Sequence, residues 1–253
     1  MTISARDWSA FVDKLGAVSR KAAEDLRVWV NRNGGLINID RQVLIDYAYA
    51  LATKYGEGTS ALAASWYDAV AQASGQYLPA AEAAATATYA ETAKTINGVL
   101  KVSSNEEMLT GAMERLVKMP GADTTLKNSI RDGAEVAWIP HGDTCAFCIA
   151  LASRGWQRAS RKMLQNGHAE HIHAHCDCTY EVRFDEYTTV AGYDPDRYLE
   201  MYQDADGTSS KDKINSMRRE FYAENKERIN EQKRDAYEKR VELNSSAAEE
   251  ADV

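Results

Sequence analysis

The amino-acid sequence predicts a mainly α fold with an N-terminal helical bundle, a small α+β module and a C-terminal charged helix. Three observations indicate this class. Apolar residues recur at helical spacing through residues 1–136, short β-favouring segments follow within 137–200, and charge is dense in much of 201–253. We expect these ranges to form an all-α domain, the α+β module, and a linker, charged helix and mobile acidic tail.

One apolar stripe predicts the first helix. Its members are spaced three or four residues apart and end before Gly34 and Gly35; they are Trp8, Phe11, Leu15, Val18, Ala22, Leu26 and Trp29. Asp40 is the predicted N-cap of a second helix, which Gly56 closes, and Ser60 opens a third.

Alanine is concentrated in the segment that follows. Fourteen alanines lie between residues 61 and 93, and Gly75 and Pro79 interrupt them. Because alanine favours helices and has a small side chain, we predict helices that pack closely in a bundle core. A surface for a partner helix or an oligomer is the alternative interpretation.

Two more helices are predicted before the module. The first runs from Asn105 to Met119 and is stopped by Pro120 and Gly121. The second begins at an N-cap, either Asp123 or Thr124.

The β-favouring runs Val136–Ile139 and Thr179–Phe184 bracket a region rich in cysteine and histidine. All four cysteines lie between residues 145 and 178, and four of the five histidines lie between 168 and 175. This clustering does not fit a disulfide framework, in which cysteines are spread along the chain.

The pattern predicts a structural zinc site. Five residues compete for its four ligand positions; they are Cys145, Cys148, His173, Cys176 and Cys178. The C-x2-C pair and the H-x2-C spacing of His173 and Cys176 favour the first four. Cys178 is the main rival, because C-x-C in extended chain places both side chains on one face. The residues do not settle whether His175 or Cys178 completes the site.

Other interpretations of the cluster remain open. The cysteines can instead be buried reduced thiols beside surface histidines, or Cys145 and His173 can be the nucleophile and base of a peptidase. His168 and His171 are predicted to be exposed loop residues, and either can substitute as a ligand. A closed zinc site would stabilise the α+β module, whose core is too small to be stable alone.

Charge and hydropathy restrict the partners. Thirty Lys and Arg against 38 Asp and Glu give a net charge of −8, which favours protein partners over nucleic acid. Weak DNA contact through the arm Lys211 to Arg240 is a secondary expectation. The sequence has no run of about 18 to 20 apolar residues and no signal peptide at its start, so we expect a soluble protein without membrane partners.

The segment Asp143–Gly155, with the letters DTCAFCIALASRG, and the segment His173–Cys178, with the letters HAHCDC, resemble the bacteriophage Mu F-like minor head (head morphogenesis) proteins. The similarity is greatest to a branch from phages of actinobacteria, sometimes labelled capsid maturation protease. Tyr47–Gly56, Ser65–Asp68 and Asn128–Ala134 also look like this branch. One departure is Ala174, where many F-like proteins have proline.

The resemblance implies a minor capsid protein present in few copies in the virion, at the portal vertex or capsid interior. It implies that the protein assists head assembly and DNA packaging, with the portal protein and the major capsid or scaffold protein as partners, after synthesis in the bacterial host cytoplasm. It also ranks His173 above His175 as a zinc ligand. The alternative that it implies is a capsid maturation protease, although the residues themselves do not require an enzyme.

Overall fold

Long helices make up most of the chain, and the predicted fold class is confirmed. The computed structural model describes residues 1–102, 105–142, 144–169, 172 and 176–251. The helices are α1 Ala5–Arg32, α2 Arg41–Ala73, α3 Tyr89–Val102, α4 Glu106–Asp132, α5 Ala146–Ala152, α6 Pro195–Asp204 and α7 Ser210–Ala251. The strands are β1 Thr2–Ile3, β2 Glu135–Ile139, β3 Gln157–Arg158, β4 Leu164–Gln165, β5 His168–Ala169, β6 Thr179–Arg183 and β7 Thr189–Val190.

The predicted start of the bundle is confirmed. Ser4 caps α1 by accepting a hydrogen bond from the Asp7 N–H at 3.0 Å, and Asp40 caps α2 through the N–H groups of Gln42 and Val43. Every member of the predicted apolar stripe of α1 is buried or packs against a buried cluster. These caps and this stripe are local features, which explains why the sequence reveals them.

The predicted break at Gly56 and the new helix at Ser60 are wrong, because α2 is continuous from Arg41 to Ala73. Gly56 serves close packing instead. A Cβ at this position would lie 3.0 Å from Thr86 Cγ2 and 3.3 Å from Pro120 Cγ. Glycine inside a helix costs about 1 kcal/mol relative to alanine, which close packing of neighbouring segments can offset.

The alanine-rich segment is only partly helical. The chain leaves α2 at Ser74 and Gly75 (φ +70°), and residues 76–88 have no helix. Their main chain is bonded to side chains of neighbouring helices. The Ala81 N–H donates to Asp68 Oδ1 at 2.8 Å, and Asn128 pairs with both the N–H and the carbonyl of Glu82. These tertiary hydrogen bonds outweigh the helix propensity of alanine.

The predicted stop at Pro120 and Gly121 is also wrong. A single helix, α4, has Asn105 as its N-cap and passes through both residues. Proline removes one helical hydrogen bond and crowds the preceding turn. Side chains bond to carbonyls around it: Thr59 Oγ1 donates to the Val117 carbonyl at 2.6 Å, and Thr124 Oγ1 to the Pro120 carbonyl at 2.7 Å.

Both predicted β-runs form strands of the module. The strands β3, β2 and β6 form an antiparallel sheet in that order, in which Trp138 lies opposite Tyr180. One side of this sheet packs with apolar residues of α1 and α2, and the other packs with α4, α5 and three of the cysteines. The small pairs β4–β5 (antiparallel) and β1–β7 (parallel) complete the module.

The chain divides into two compact units, Met1–Glu200 and Met201–Val253. In the second unit, Lys213 Nζ donates to the carbonyls of Gln203 and Ala205 at 2.7 Å and so binds the segment between α6 and α7. The helix α7 continues to Ala251, where the sequence predicted a tail from about residue 245. None of the described helices is long and apolar enough to cross a membrane.

Candidate metal centre

Cysteines from two distant segments meet beside α5. Cys145 precedes this helix and Cys148 lies in its first turn, whereas Cys176 and Cys178 belong to the segment that leads into β6. The Sγ atoms of Cys148, Cys176 and Cys178 all lie within 4.8 Å of one another. The Cys148 and Cys176 Sγ atoms are 3.3 Å apart. Folding therefore brings both halves of the predicted motif to one point.

Cys145 joins this group from its exposed side. Its thiol is hydrogen bonded to that of Cys148, although Cys145 itself is exposed and the other three cysteines are buried. All four cysteines lie in the described part of the chain, and none of them forms a disulfide.

The thiols influence one another's protonation. Hydrogen bonds from Cys148 and Cys176 lower the pKa of Cys178 to about 4, and the His141 N–H, 3.4 Å from its Sγ, adds to this effect. The pKa of Cys148 is raised, because its hydrogen bonds to Cys145, Cys176 and Cys178 and its burial favour the protonated form. The cluster thus stabilises a thiolate at Cys178, and thiolates are the form in which cysteine binds metal.

The donor set fits a soft divalent metal ion. Tetrahedral zinc with Zn–S bonds of about 2.3 Å places its sulfur ligands somewhat less than 4 Å apart. The three buried sulfur atoms, all within 4.8 Å of one another, need only small shifts to reach that arrangement. Thiolate ligands favour zinc over hard ions such as Mg²⁺ and Ca²⁺. The cysteine cluster could therefore hold a metal ion.

The structure brings together only the sulfur members of the predicted ligand set. Cys145, Cys148, Cys176 and Cys178 converge as described above. His173, the favoured fourth ligand, and its rival His175 lie outside the described residues. His171 lies outside them as well, so the histidine part of the ligand set stays a prediction.

The loop that carries Cys176 is bound to α4 and α1 by charged side chains. Lys118, almost fully buried, donates to the Cys176 carbonyl at 2.9 Å and lies 3.1 Å from Asp177 Oδ1. Arg20 donates to Asp177 Oδ2 at 2.7 Å. Gly16 allows this approach, since a Cβ there would lie 3.0 Å from Asp177 Cγ. These contacts fix the loop that carries Cys176 against α1 and α4.

We expect Lys118→Met to lower the affinity of the centre for zinc by about 10- to 100-fold, the usual effect of removing a group that orients metal ligands. The methionine keeps the length of the side chain and removes its charge. Competition with a chromophoric chelator measures the affinity. Lys21→Met is the matched control, because Lys21 is 61% exposed and pairs with Asp25 on its own helix. Equal affinities of the Lys118 variant and the wild type would contradict this role.

His168 lies apart from the cysteines, in β5, rather than in the exposed loop that the sequence predicted. Its Nδ1 is 2.6 Å from Asp123 Oδ2 and its Nε2 is 2.7 Å from Glu91 Oε1. Asp123 is fully buried in α4, where the sequence predicted a helix cap. We call these three residues the carboxylate–histidine clamp; it connects α3, α4 and the module.

The clamp favours a charged histidine. Burial opposes the charge, but the hydrogen bonds to Asp123 and Glu91 outweigh it, so the pKa of His168 is raised. Burial also raises the pKa of Glu91, but hydrogen bonds from Thr88 and His168 outweigh it and lower the value to about 2. Sequence spacing offers no signal for this group, because its members come from three separate elements.

A second buried acid, Glu181, was also missed. It lies in β6 with no exposed surface, and Trp66 Nε1 and the Val182 N–H donate to its carboxyl group, each at 2.8 Å. Burial raises the pKa of Glu181 to about 8. Alternation along a strand predicts an outward glutamate, but both faces of this sheet are covered, so the carboxyl group has no route to solvent.

Comparison with known proteins gives one match. A family model described as VG15 protein matches residues 2–205, a range that includes the helical bundle and the whole cysteine-containing module. No curated protein matches the chain, and no solved structure does.

Proposed function

Since the chain belongs to the VG15 protein family, a family of phage proteins, we propose that it is a minor capsid protein of the phage head. It is present in few copies, at the portal vertex or on the capsid interior. There it assists head assembly and DNA packaging as a structural component. Its partners are the portal protein and the major capsid or scaffold protein.

The extent of the family match is the observation that carries this proposal. The matched range includes both the helices and the cysteines of this chain. The segments that resemble F-like minor head proteins, from Tyr47 to Cys178, all fall inside the matched range. The buried cysteine thiols, and the contacts of Lys118 with Asp177 and the Cys176 carbonyl, support a stabilising role for the metal centre.

Zinc is the metal that we propose for this centre. Cys148, Cys176 and Cys178 bind it, and Cys145 or His173 supplies the fourth ligand. Zinc held by four protein ligands has no open position for substrate, so it acts by stabilising the module. Lys118 pairs with Asp177 and bonds the Cys176 carbonyl, so the Cys176 loop is held against α4 of the bundle. Zinc that orders this loop therefore also stabilises its packing on the helices.

Weak DNA contact through Lys211 to Arg240 is a secondary property in this proposal. Arg218, Arg219 and Tyr222 line one hollow on α7, which supplies two positive charges and an aromatic ring. Such contact has a strong salt dependence. Deletion of the arm should remove it.

Peptide mass spectrometry of gradient-purified phage particles tests the main proposal. Labelled standards count this chain relative to the portal protein, and N-terminal peptides show whether the major capsid protein is trimmed. We expect a few intact copies per portal and an untrimmed capsid protein. Absence of the chain from particles with a trimmed capsid protein would overturn the structural role and favour a capsid maturation protease.

A further inference from the structure

The four cysteines differ in their access to solvent. Cys145 is exposed, whereas Cys148, Cys176 and Cys178 are buried. The thiol of Cys145 is hydrogen bonded to that of Cys148, so the exposed sulfur has a buried sulfur as its neighbour. A small reagent in solution therefore reaches the cluster through Cys145. An accessible thiol beside a second thiol is the arrangement typical of cysteines that react with peroxides.

A second contact leads from this pair to the other segment of the chain. Cys148 Sγ lies 3.3 Å from Cys176 Sγ, and the two residues are 28 positions apart. Because a disulfide bond is about 2.05 Å long, the two atoms need to approach by only about 1 Å to form one. Both residues are held near this position, since Cys148 lies in α5 and Lys118 donates to the Cys176 carbonyl at 2.9 Å. A bond between these sulfur atoms would join the same two segments as a shared metal ion.

We propose that a peroxide converts this cluster into a disulfide between Cys148 and Cys176, with Cys145 as the thiol that reacts first. The Cys145 sulfur takes one oxygen from hydrogen peroxide, whose O–O bond breaks, and a sulfenic acid and one water are formed. The Cys148 thiol displaces that oxygen as a second water and forms a disulfide with Cys145. The Cys176 thiol then attacks the Cys148 sulfur and releases the Cys145 thiol. In sum, two thiols are oxidised and one peroxide is reduced to two waters.

The disulfide fastens the module without a metal ion. It links α5 to the segment before β6, which restricts the unfolded chain, and it removes two of the cysteines that the proposed zinc centre uses. Its use to a virion component rests on the proposed function. Such a particle is assembled in a reducing cytoplasm and then persists outside the cell, where disulfides are stable. The cluster therefore keeps the module folded in both environments.

Peptide mapping of the full chain after treatment with hydrogen peroxide tests the proposal. The protein is kept in a chelator, and the remaining thiols are blocked before digestion with trypsin. The first two cysteines lie in one tryptic peptide, residues 132–154, and the last two lie in another, residues 163–183. We expect these peptides to be joined through Cys148 and Cys176, and Tm to exceed that of the reduced, chelated protein by about 5 °C or more. A disulfide confined to residues 132–154, or thiols that are only over-oxidised, would overturn the proposal.

One variant identifies the thiol that reacts first. Cys145→Ser keeps Cys148 and Cys176 and should slow formation of the joined peptides at least about tenfold, because buried thiols react slowly. Thr144→Ser, which changes the neighbouring residue, is the control and should react at the wild-type rate. Joining as fast in the Cys145→Ser protein as in the wild type would contradict the role of Cys145.

A parallel reaction with zinc in place of the chelator separates this inference from the zinc centre. Zinc bound as proposed should slow the joining of the peptides, and one zinc ion should be released for each disulfide formed. A chromophoric chelator measures this release. Joined peptides that form at equal rates with and without zinc would contradict the zinc centre and support the disulfide. Peptides that stay separate in the chelated protein would overturn the disulfide alone.

Discussion

Serine in place of Cys176 should abolish binding of the proposed zinc ion and unfold the α+β module. Cys176 is buried, its Sγ lies 3.3 Å from that of Cys148, and its carbonyl is bound by Lys118. The hydroxyl of serine is a poor zinc ligand, and structural zinc contributes about 10–16 kcal/mol in small peptides. In this larger chain we expect a loss of at least about 5 kcal/mol and a fall in Tm of about 10 °C or more.

Metal analysis of the purified protein and calorimetry measure these two effects. The control is Thr144→Ser, on the loop before α5, where the hydroxyl donates to the Gly142 carbonyl at 3.3 Å. A chelator added to the wild type should reproduce the fall in Tm. Wild-type zinc content and Tm in the Cys176→Ser protein would show that the cysteines are only buried thiols.

The carboxylate–histidine clamp should make stability depend on pH. The pKa of His168 is raised in the folded state, so its contribution is fully present below the unfolded pKa of about 6.5 and is lost as pH rises through the folded pKa. The pKa of Glu91 is lowered to about 2, so its contribution to stability is fully present above about pH 4.5 and is lost as pH falls toward 2. The clamp is therefore most stabilising between about pH 4.5 and 6.5.

We expect His168→Gln to lower the free energy of unfolding by about 3 kcal/mol at pH 5.5, because it removes the charged histidine that lies 2.6 Å from the buried Asp123 carboxylate. Lys127 limits this loss of stability, because its Nζ lies 3.5 Å from Asp123 Oδ2 and still pairs with the carboxylate. At pH 9 the difference from the wild type should be smaller, because more of the wild-type histidine is then neutral. Urea unfolding at the two pH values measures both differences.

His141→Gln is the control for a less buried pair. Its partner Asp13 is 62% exposed, and exposed ion pairs contribute about 0–1 kcal/mol. The control should therefore show little change at either pH. Parallel stability curves for the wild type and His168→Gln between pH 5.5 and 9 would mean that the clamp holds a neutral histidine.

The helical body shows which features can be read from the chain alone. The stripe of α1, the cap Asp40, the start of a helix at Asn105 and the two β-runs were predicted correctly. Each depends on residues that lie within a few positions of one another, so local backbone geometry and periodicity decide them. The C-x2-C pair is local in the same sense.

The helix ends that were predicted wrongly depend instead on contacts between residues far apart in the chain. Gly56 and Pro120 are ordinary stop signals, yet α2 and α4 pass through them. Thr59 donates to the carbonyl of Val117, and the missing side chain of Gly56 leaves room for the proline ring. Each apparent stop is accommodated by a residue on another helix. Likewise, the alanines between Ala80 and Ala87 lie outside any helix, and the N–H groups of Ala81 and Ala84 donate to Asp68 of α2 and Thr124 of α4.

By itself the sequence determined that this is a helical protein whose four cysteines are gathered between residues 145 and 178. Only the tertiary structure decided that Lys118 supports the Cys176 loop, that His168 lies between two carboxylates, and that Glu181 is buried. The physical reason is distance along the chain. Periodicity and ligand spacing act over a few residues, whereas these contacts join residues from about 45 to 115 positions apart, and only packing brings them together.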